Sequence, residues 1–449
     1  MSFRTAVLVC AVTLSVAACT SADSSSTTLD VSNTFGVSTT GPAPTVATTT
    51  TVAPTTTLPP ETTTTVPLFT LSGAVTTPSG EPLPGALVTV PGGVTVEVDD
   101  EGRFEIEGVA AGEVVVERPA WLSTSFSFTG EPPEPVAMEP RIVRALRVSK
   151  YVAMEPEEFA ALIDLAATTV VNALVFDTKD ETGEVLYETS VEEAHDLGAV
   201  NPMYDPVEAL AAAKAEGLYT ITRIVTFEDR IKSGLDAEAK LAGWWLDPVD
   251  EVNWEYPLAL AVEACELGFD EVQFDYVRFP TGKAAAAASA KRSLSQEERV
   301  GAIASFLTEA TETLHPLGCA VSADIFGIVL SSPTDEGIGQ RPEELSRIVD
   351  ALSPMIYPSH YSPGWLGFAE PNDHPGPVVS RALDDGWPRF EGPALMRPWL
   401  QAFYYSAAQI RTEIEVAEER GFGWILWNAG GSYARSALQE EEASNSTDG

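Results

Sequence analysis

The sequence predicts an α/β protein, a (β/α)8 TIM barrel carrying a small N-terminal all-β sandwich. Three observations carry that expectation. From Arg141 onward, short apolar runs alternate with helical patterns through about eight repeats, the signature of parallel strands joined by crossover helices. Between residues 69 and 138 the pattern is different: short runs rich in Val, Phe and Ile at 87–90, 94–98, 104–106 and 114–116. Turn triplets such as Pro91-Gly92-Gly93 and Asp100-Glu101-Gly102 separate them, at the spacing of an antiparallel sandwich. A doubly wound open sheet, the competing architecture, would want a glycine-rich phosphate turn after an early strand, and none is present.

The barrel domain is placed at 141–437, with strands at 145–149, 172–177, 219–225, 271–277, 320–324, 354–357, 398–403 and 424–427. The fourth strand is the most informative. Gly268 stops the helix before it, Val272, Phe274 and Tyr276 alternate with Gln273, Asp275 and Val277, and Pro280 ends the ladder. Alternation sets Gln273 and Asp275 on one face, so a barrel would hold Asp275 at the strand ends, where such folds keep their chemistry. Before the fifth strand Val300, Ile303, Leu307, Ala310 and Leu314 recur at the helical period and are expected to face the barrel. The alanine-rich stretch 283–292 reads as a loop or short helix on the rim. Trp424, deep in its strand, reads as core.

Ahead of the folded part, Arg4 and the apolar run 6–18 have the charged start and short hydrophobic centre of a secretory signal, so the chain is expected to be exported. Val16-Ala17-Ala18-Cys19 resembles a bacterial lipoprotein cleavage box. That implies a signal peptide over 1–19 and a lipid at Cys19 tethering the protein to the outer face of the membrane. Residues 20–68, made largely of Ser, Thr, Pro and Val, cannot bury a core and read as an extended linker; 438–449 reads as a disordered acidic tail. The formal net charge of −40 argues against nucleic acid, and against contact with an anionic membrane surface other than through a lipid anchor. Outside the leader only Cys265 and Cys319 remain, which allows one bridge or two buried thiols. Four histidines without a His-x-His strand, no Gly-x-Ser-x-Gly elbow and no phosphate loop leave no metal or cofactor expected.

The stretch GFDEVQFDYVRFP at 268–280 resembles the signature of a bacterial glycosyl hydrolase family of unassigned activity, whose barrels are likened to those of alpha-amylase-type enzymes. The resemblance extends through NALVFDTKD (172–180), RIV (223–225), SADIFG (322–327), SPMIYPSHY (353–361), RPWLQ (397–401) and LWNA (426–429). It implies a glycoside hydrolase acting on an envelope or extracellular polysaccharide or oligosaccharide. Glycosidic cleavage needs one protonated and one ionised carboxyl, and Asp275 and Asp324, ending the fourth and fifth strands, are the expected pair. The shorter Asp324 stands where the alpha-amylase-type acid is a Glu. Expected substrate-binding groups are Asp177, Lys179, Arg223, Gln273, Tyr276, Arg278, Tyr357, His360, Arg397, Trp399, Gln401, Trp427 and Asn428. The aromatics among them suit stacking on sugar rings and the polar groups suit hydroxyls. Lys179, Arg223, Arg278 and Arg397 are equally the cations that would neutralise Asp177, Asp275 and Asp324. A barrel that kept its sugar groove without turnover, serving as a wall-attachment or binding module, is the competing reading. In residues 69–138 the wording GAV (73–75), GEPLPGA (80–86) and DEGRF (100–104) resembles the carboxypeptidase-regulatory-like domain, which implies a spacer.

Overall fold

The computed structural model describes residues 66–131 and 133–439. The expected signal peptide, Cys19 and nearly all of the linker therefore lie outside the described residues. Eight parallel strands close into a barrel: Arg144–Val148, Ala173–Lys179, Tyr219–Val225, Glu271–Asp275, Ala320–Phe326, Ala351–Ile356, the interrupted seventh strand Leu395–Met396 with Trp399–Gln401, and Trp424–Trp427. The first strand pairs with the eighth and the fifth with the sixth, so the ring has no edge. The apolar side chains that face outward, among them Phe176, Phe274 and Ile325, pack against the surrounding helices in the main core. Gln296–Leu314 shows why its pattern works. A capping box between Ser295 and Glu298 starts it, and Val300, Ile303, Leu307, Ala310 and Leu314 are all buried. Stretch 283–292 falls within the helix Gly282–Lys291.

Several boundaries differ from expectation for local reasons. The fourth strand stops at Asp275 because Tyr276 takes a left-handed backbone with φ 51°, which no ladder can continue. The sixth strand begins at Ala351, three residues early, since Pro354 sits within the ladder and not at its start. Leu438, assigned to the tail, is fully buried and its carbonyl accepts the Val170 N–H, so the barrel domain runs one residue further. Cys265 and Cys319 are bridged, joining the helix Val252–Leu267 to the entry of the fifth strand. Gly268 caps that helix with φ 105°.

The sandwich is two small sheets. One orders Arg103–Ala110, Leu68–Thr76 and Val136–Ala137; the other orders Thr95–Glu97, Leu87–Thr89, Gly112–Glu117 and Thr124–Phe128. Its core includes Ala320 and is packed on by Leu395, residues that open two barrel strands. Arg118 of the sandwich donates to Asp350 Oδ1 at 3.1 Å, while His315 and the Val321 N–H hold Oδ2, each at 2.8 Å. Burial works against an ionised Asp350, yet His315 and Arg118 hold it below the usual carboxylate range. The sandwich thus plugs the amino-terminal end of the barrel and leaves the carboxyl end of the strands open.

Candidate active site

Along the fourth to sixth strands the lumen is polar, while Ala145, Ala173, Val175, Ile221 and Ile425 from the first, second, third and eighth form an apolar cluster. Glu271, at the start of the fourth strand, accepts both Arg397 terminal nitrogens, with Ser322 and Tyr219 hydroxyls completing its shell. Above it Gln273 donates to Ser353 Oγ at 3.1 Å. At the carboxyl end the chain collects three guanidiniums and four carboxyls. Arg147 and Arg223 both bind Asp177, Arg223 through Nη1 at 3.0 Å. Arg223 also gives two hydrogen bonds to Asp275 Oδ2, from Nε at 2.9 Å and Nη2 at 2.6 Å, and its Nη2 reaches Glu181 Oε1 at 2.6 Å. The left-handed Tyr276 turns its own N–H onto Asp275 Oδ1 at 2.6 Å. Asp275 is thereby fixed at both oxygens.

Asp324 lies beside this pair. The fourth and fifth strands pair Phe274 with Ala323, so Asp275 and Asp324 follow at the same level. Trp399 Nε1 donates to Asp324 Oδ1 at 2.7 Å, while Oδ2 is buried without a partner. Burial, and then the charge of Asp275, hold Asp324 well above its ordinary value, which favours its neutral form. Glu181 goes the other way: burial opposes its charge, but Arg223 outweighs that and pulls it down to about 2. Arg223 itself, although buried, is held above its ordinary value by Glu181, Asp275 and Asp177.

Over this cluster opens a cavity of about 550 Å³. Asp275, Glu181, Arg223 and Arg278 line it together with Tyr276, Tyr357, Trp399 and Trp427, and Tyr361 and Trp365 form an outer aromatic wall with ring centres 4.3 Å apart. Gly327 makes room for that wall, since a Cβ there would lie 2.8 Å from the Tyr361 hydroxyl. Arg278 does not pair with Asp275; its guanidinium is stacked by Trp245, Phe326 and Tyr276 at 4.5, 4.3 and 5.0 Å. The Arg147 guanidinium sits 4.1 Å from the Trp427 ring centre.

Of the residues singled out from sequence, Asp275, Arg223, Tyr276, Arg278, Tyr357, His360, Trp399 and Trp427 line this cavity. Asp177 and Asp324 stand behind its lining. Gln273 is deeper in the lumen, and Arg397 turns to Glu271. Gln401 is fully buried, accepting the Ser359 N–H and donating to Asn372 and Phe403, so its amide is committed to the fold. Lys179 is also fully buried, bound to Asp229 at 2.8 Å and to the Val225 carbonyl, away from the cavity. Asn428 lines an adjoining groove. Glu181 and Arg147 escaped the sequence reading; Glu181 is the last of a mixed DTKDE run that begins inside the second strand and leaves it, where nothing local separates it from Asp180. Among the described residues no group of three or more His, Cys, Asp or Glu is arranged to hold a metal.

A sequence model of the family described as "Putative glycosyl hydrolase domain" matches residues 145–433. Among solved structures, the glycoside hydrolase domain of PgaB (BpsB) from Bordetella bronchiseptica superposes with a TM-score of 0.50 at 14% identity, over 66% of this chain and 99% of that one. A hypothetical protein from Ruminiclostridium thermocellum ATCC 27405 is 30% identical over 40% of this chain and 96% of its own, with a TM-score of 0.35. The glycoside hydrolase domain of PelA from Pseudomonas aeruginosa is 12% identical over 65% of this chain and 96% of that one, with a TM-score of 0.39. The first of these likenesses is one of fold. No curated protein matches the chain.

Proposed function

We propose, from the premise that the chain belongs to the family described as "Putative glycosyl hydrolase domain", that it hydrolyses a glycosidic bond of a polysaccharide or oligosaccharide with the carboxyl pair Asp275 and Asp324. The observation that carries this reading is the contrast between two carboxyls on adjacent strands at one level: Asp275, bound by Arg223 and the Tyr276 N–H, and Asp324, whose buried carboxyl is touched only by Trp399, a setting that favours its neutral form. One ionised and one protonated carboxyl is the state from which a glycosidic bond is cleaved. In this reading Asp275 meets the anomeric carbon, as nucleophile or as base toward water. Asp324 holds the pair's proton on Oδ2, its other oxygen being engaged by Trp399. Trp427 and Trp365, the partly exposed tryptophans of the lining, stack on sugar rings. Delivery of the proton to the leaving oxygen includes a shift of the lining side chains that uncovers Asp324.

The burial of Asp324 behind that lining also favours a second reading, in which the barrel binds a glycan without turning it over. Asp275→Asn separates the two. The hydrolase reading expects kcat against a released-reducing-end assay to fall by at least about a hundredfold while glycan binding persists. Stability should drop by only ~1–3 kcal/mol, because Arg223 keeps Asp177 and Glu181. Undiminished turnover in the variant would remove Asp275 from the mechanism, and a parent that binds glycans without releasing reducing ends would establish the second reading.

A further inference from the structure

Beside the cavity runs a second lobe of about 570 Å³, which shares Tyr357, His360 and Trp427 with it and adds Ser359, Phe403, Tyr404 and Asn428. Two such volumes side by side, each within the range that holds a ligand of drug size, exceed what a single sugar needs. The lobes differ in chemistry. The first presents Glu181, Asp275, Arg223 and Arg278; the second has no Asp, Glu, Lys or Arg in its lining. Tyr404 at its outer edge is 93% exposed, and its backbone is left-handed with φ 62°. A tyrosine with almost no burial adds little to the core, and a non-glycine residue in that conformation is strained, a combination that gathers at functional positions. Its ring continues a row: Tyr404 meets Phe403 edge-on at 5.4 Å, and Phe403 meets Tyr357 at 5.6 Å and His360 at 6.2 Å.

We infer that the second lobe is a binding stretch for an uncharged segment of a glycan chain, with Tyr404 as its outer stacking platform, so that the substrate is a polymer seated across both lobes. This rests on the glycoside hydrolase reading for the bond that is cut, but not for the binding itself. The chain's rings stack on the aromatic row, and Ser359 and Asn428 border their hydroxyls. No ion pair is offered to a uronic acid or an amino sugar in this lobe.

The test compares parent and Tyr404→Ala on cello-, chito- and malto-oligosaccharides, disaccharides against hexasaccharides. Binding is read by affinity gel electrophoresis and hydrolysis by reducing-end release, with polygalacturonate and chitosan as charged polymers. We expect the parent to favour hexasaccharides of one of these series. Tyr404→Ala should weaken that preference about fivefold through KM, leaving the melting temperature in place. Hydrolysis by the parent with the same length dependence in the variant overturns the inference and leaves the hydrolase reading standing. Tyr404-dependent binding of the long chains without any cleavage sustains the inference and sinks that reading. Binding to none of the uncharged series, or a preference for either charged polymer that Tyr404→Ala abolishes, overturns the inference.

Discussion

Asp324 lies at one level with Asp275 but is buried without a guanidinium of its own, and burial pushes it toward its neutral form. That setting has a pH signature. The folded-state pKa of Asp324 lies above its unfolded value, so between the two values the folded chain keeps a proton the unfolded chain has lost. Stability therefore falls as pH rises from the ordinary Asp range toward the raised value, and none of that loss is present below it. Asp324→Asn removes the titration but keeps a neutral side chain of the same shape. Thermal unfolding at stepped pH should show the variant losing less stability than the parent on the alkaline side; equal slopes would mean that Asp324 is ionised when folded. Sequence alone placed Asp275, Asp324 and Asp177 at strand ends and offered Lys179, Arg223, Arg278 and Arg397 to neutralise them; Arg223 binds Asp177 and Asp275, while the left-handed Tyr276 sends Arg278 among aromatics. Sequence put Lys179 beside Asp177, but Thr178 is an extra residue in the pairing with the third strand: Asp177 lies opposite Arg223 and Lys179 opposite Ile224. One extra residue reverses the alternation, which turns Lys179 out of the lumen and onto Asp229.

Among the elements, the helix Ala407–Glu418 contains an anomaly that no function described above uses. Its start is legible in sequence, a capping box between Ser406 and Gln409, and Ile410, Ile414 and Ala417 form its buried face. Glu413 is on that face too, fully buried, with neither carboxyl oxygen hydrogen-bonded among the described residues. Burial holds it well above its ordinary value, only the Gln401 backbone acting in the opposite sense. Glu413→Met replaces an unsatisfied acid with an apolar chain of similar volume and should stabilise the fold by ~1–3 kcal/mol in urea denaturation at neutral pH. The gain should widen as pH rises above the ordinary Glu range, because the parent must either keep a proton that its unfolded chain releases or bury a charge. A destabilised variant would mean that Glu413 has a partner in solution. The period of Ile410, Ile414 and Ala417 carries position 413 onto the same face, but a period says nothing of a partner across the interface.

For the whole molecule, the two folded parts have a division of labour that follows from where they meet. Arg118, Asp350 and His315 fasten the sandwich to the amino-terminal end of the barrel, so the open end is free for a chain-like ligand. The leader motif predicts where this assembly is held. Cys19→Ala should shift the protein from the membrane fraction to the soluble one on fractionation of the producing cells. A variant as membrane-bound as the parent would overturn the lipoprotein expectation for Val16-Ala17-Ala18-Cys19.

The class of fold, the order of the eight strands and the acids and aromatics at their ends can all be read along the chain. Those follow from periodicity, which is local: a strand's alternation and a helix's apolar stripe are written in neighbouring residues. The sequence also left two cysteines that could pair, and proximity in the fold paired them. Which cation meets which carboxylate is set in three dimensions, because Arg147, Arg223, Asp177, Asp275 and Glu181 come from four strands and their loops and converge through closure of the ring. The same closure pushes Asp324 above its ordinary value and Glu181 below, since a carboxyl's pKa is set by its burial and by the nearest guanidinium, neither of which is a property of the residues beside it in the chain.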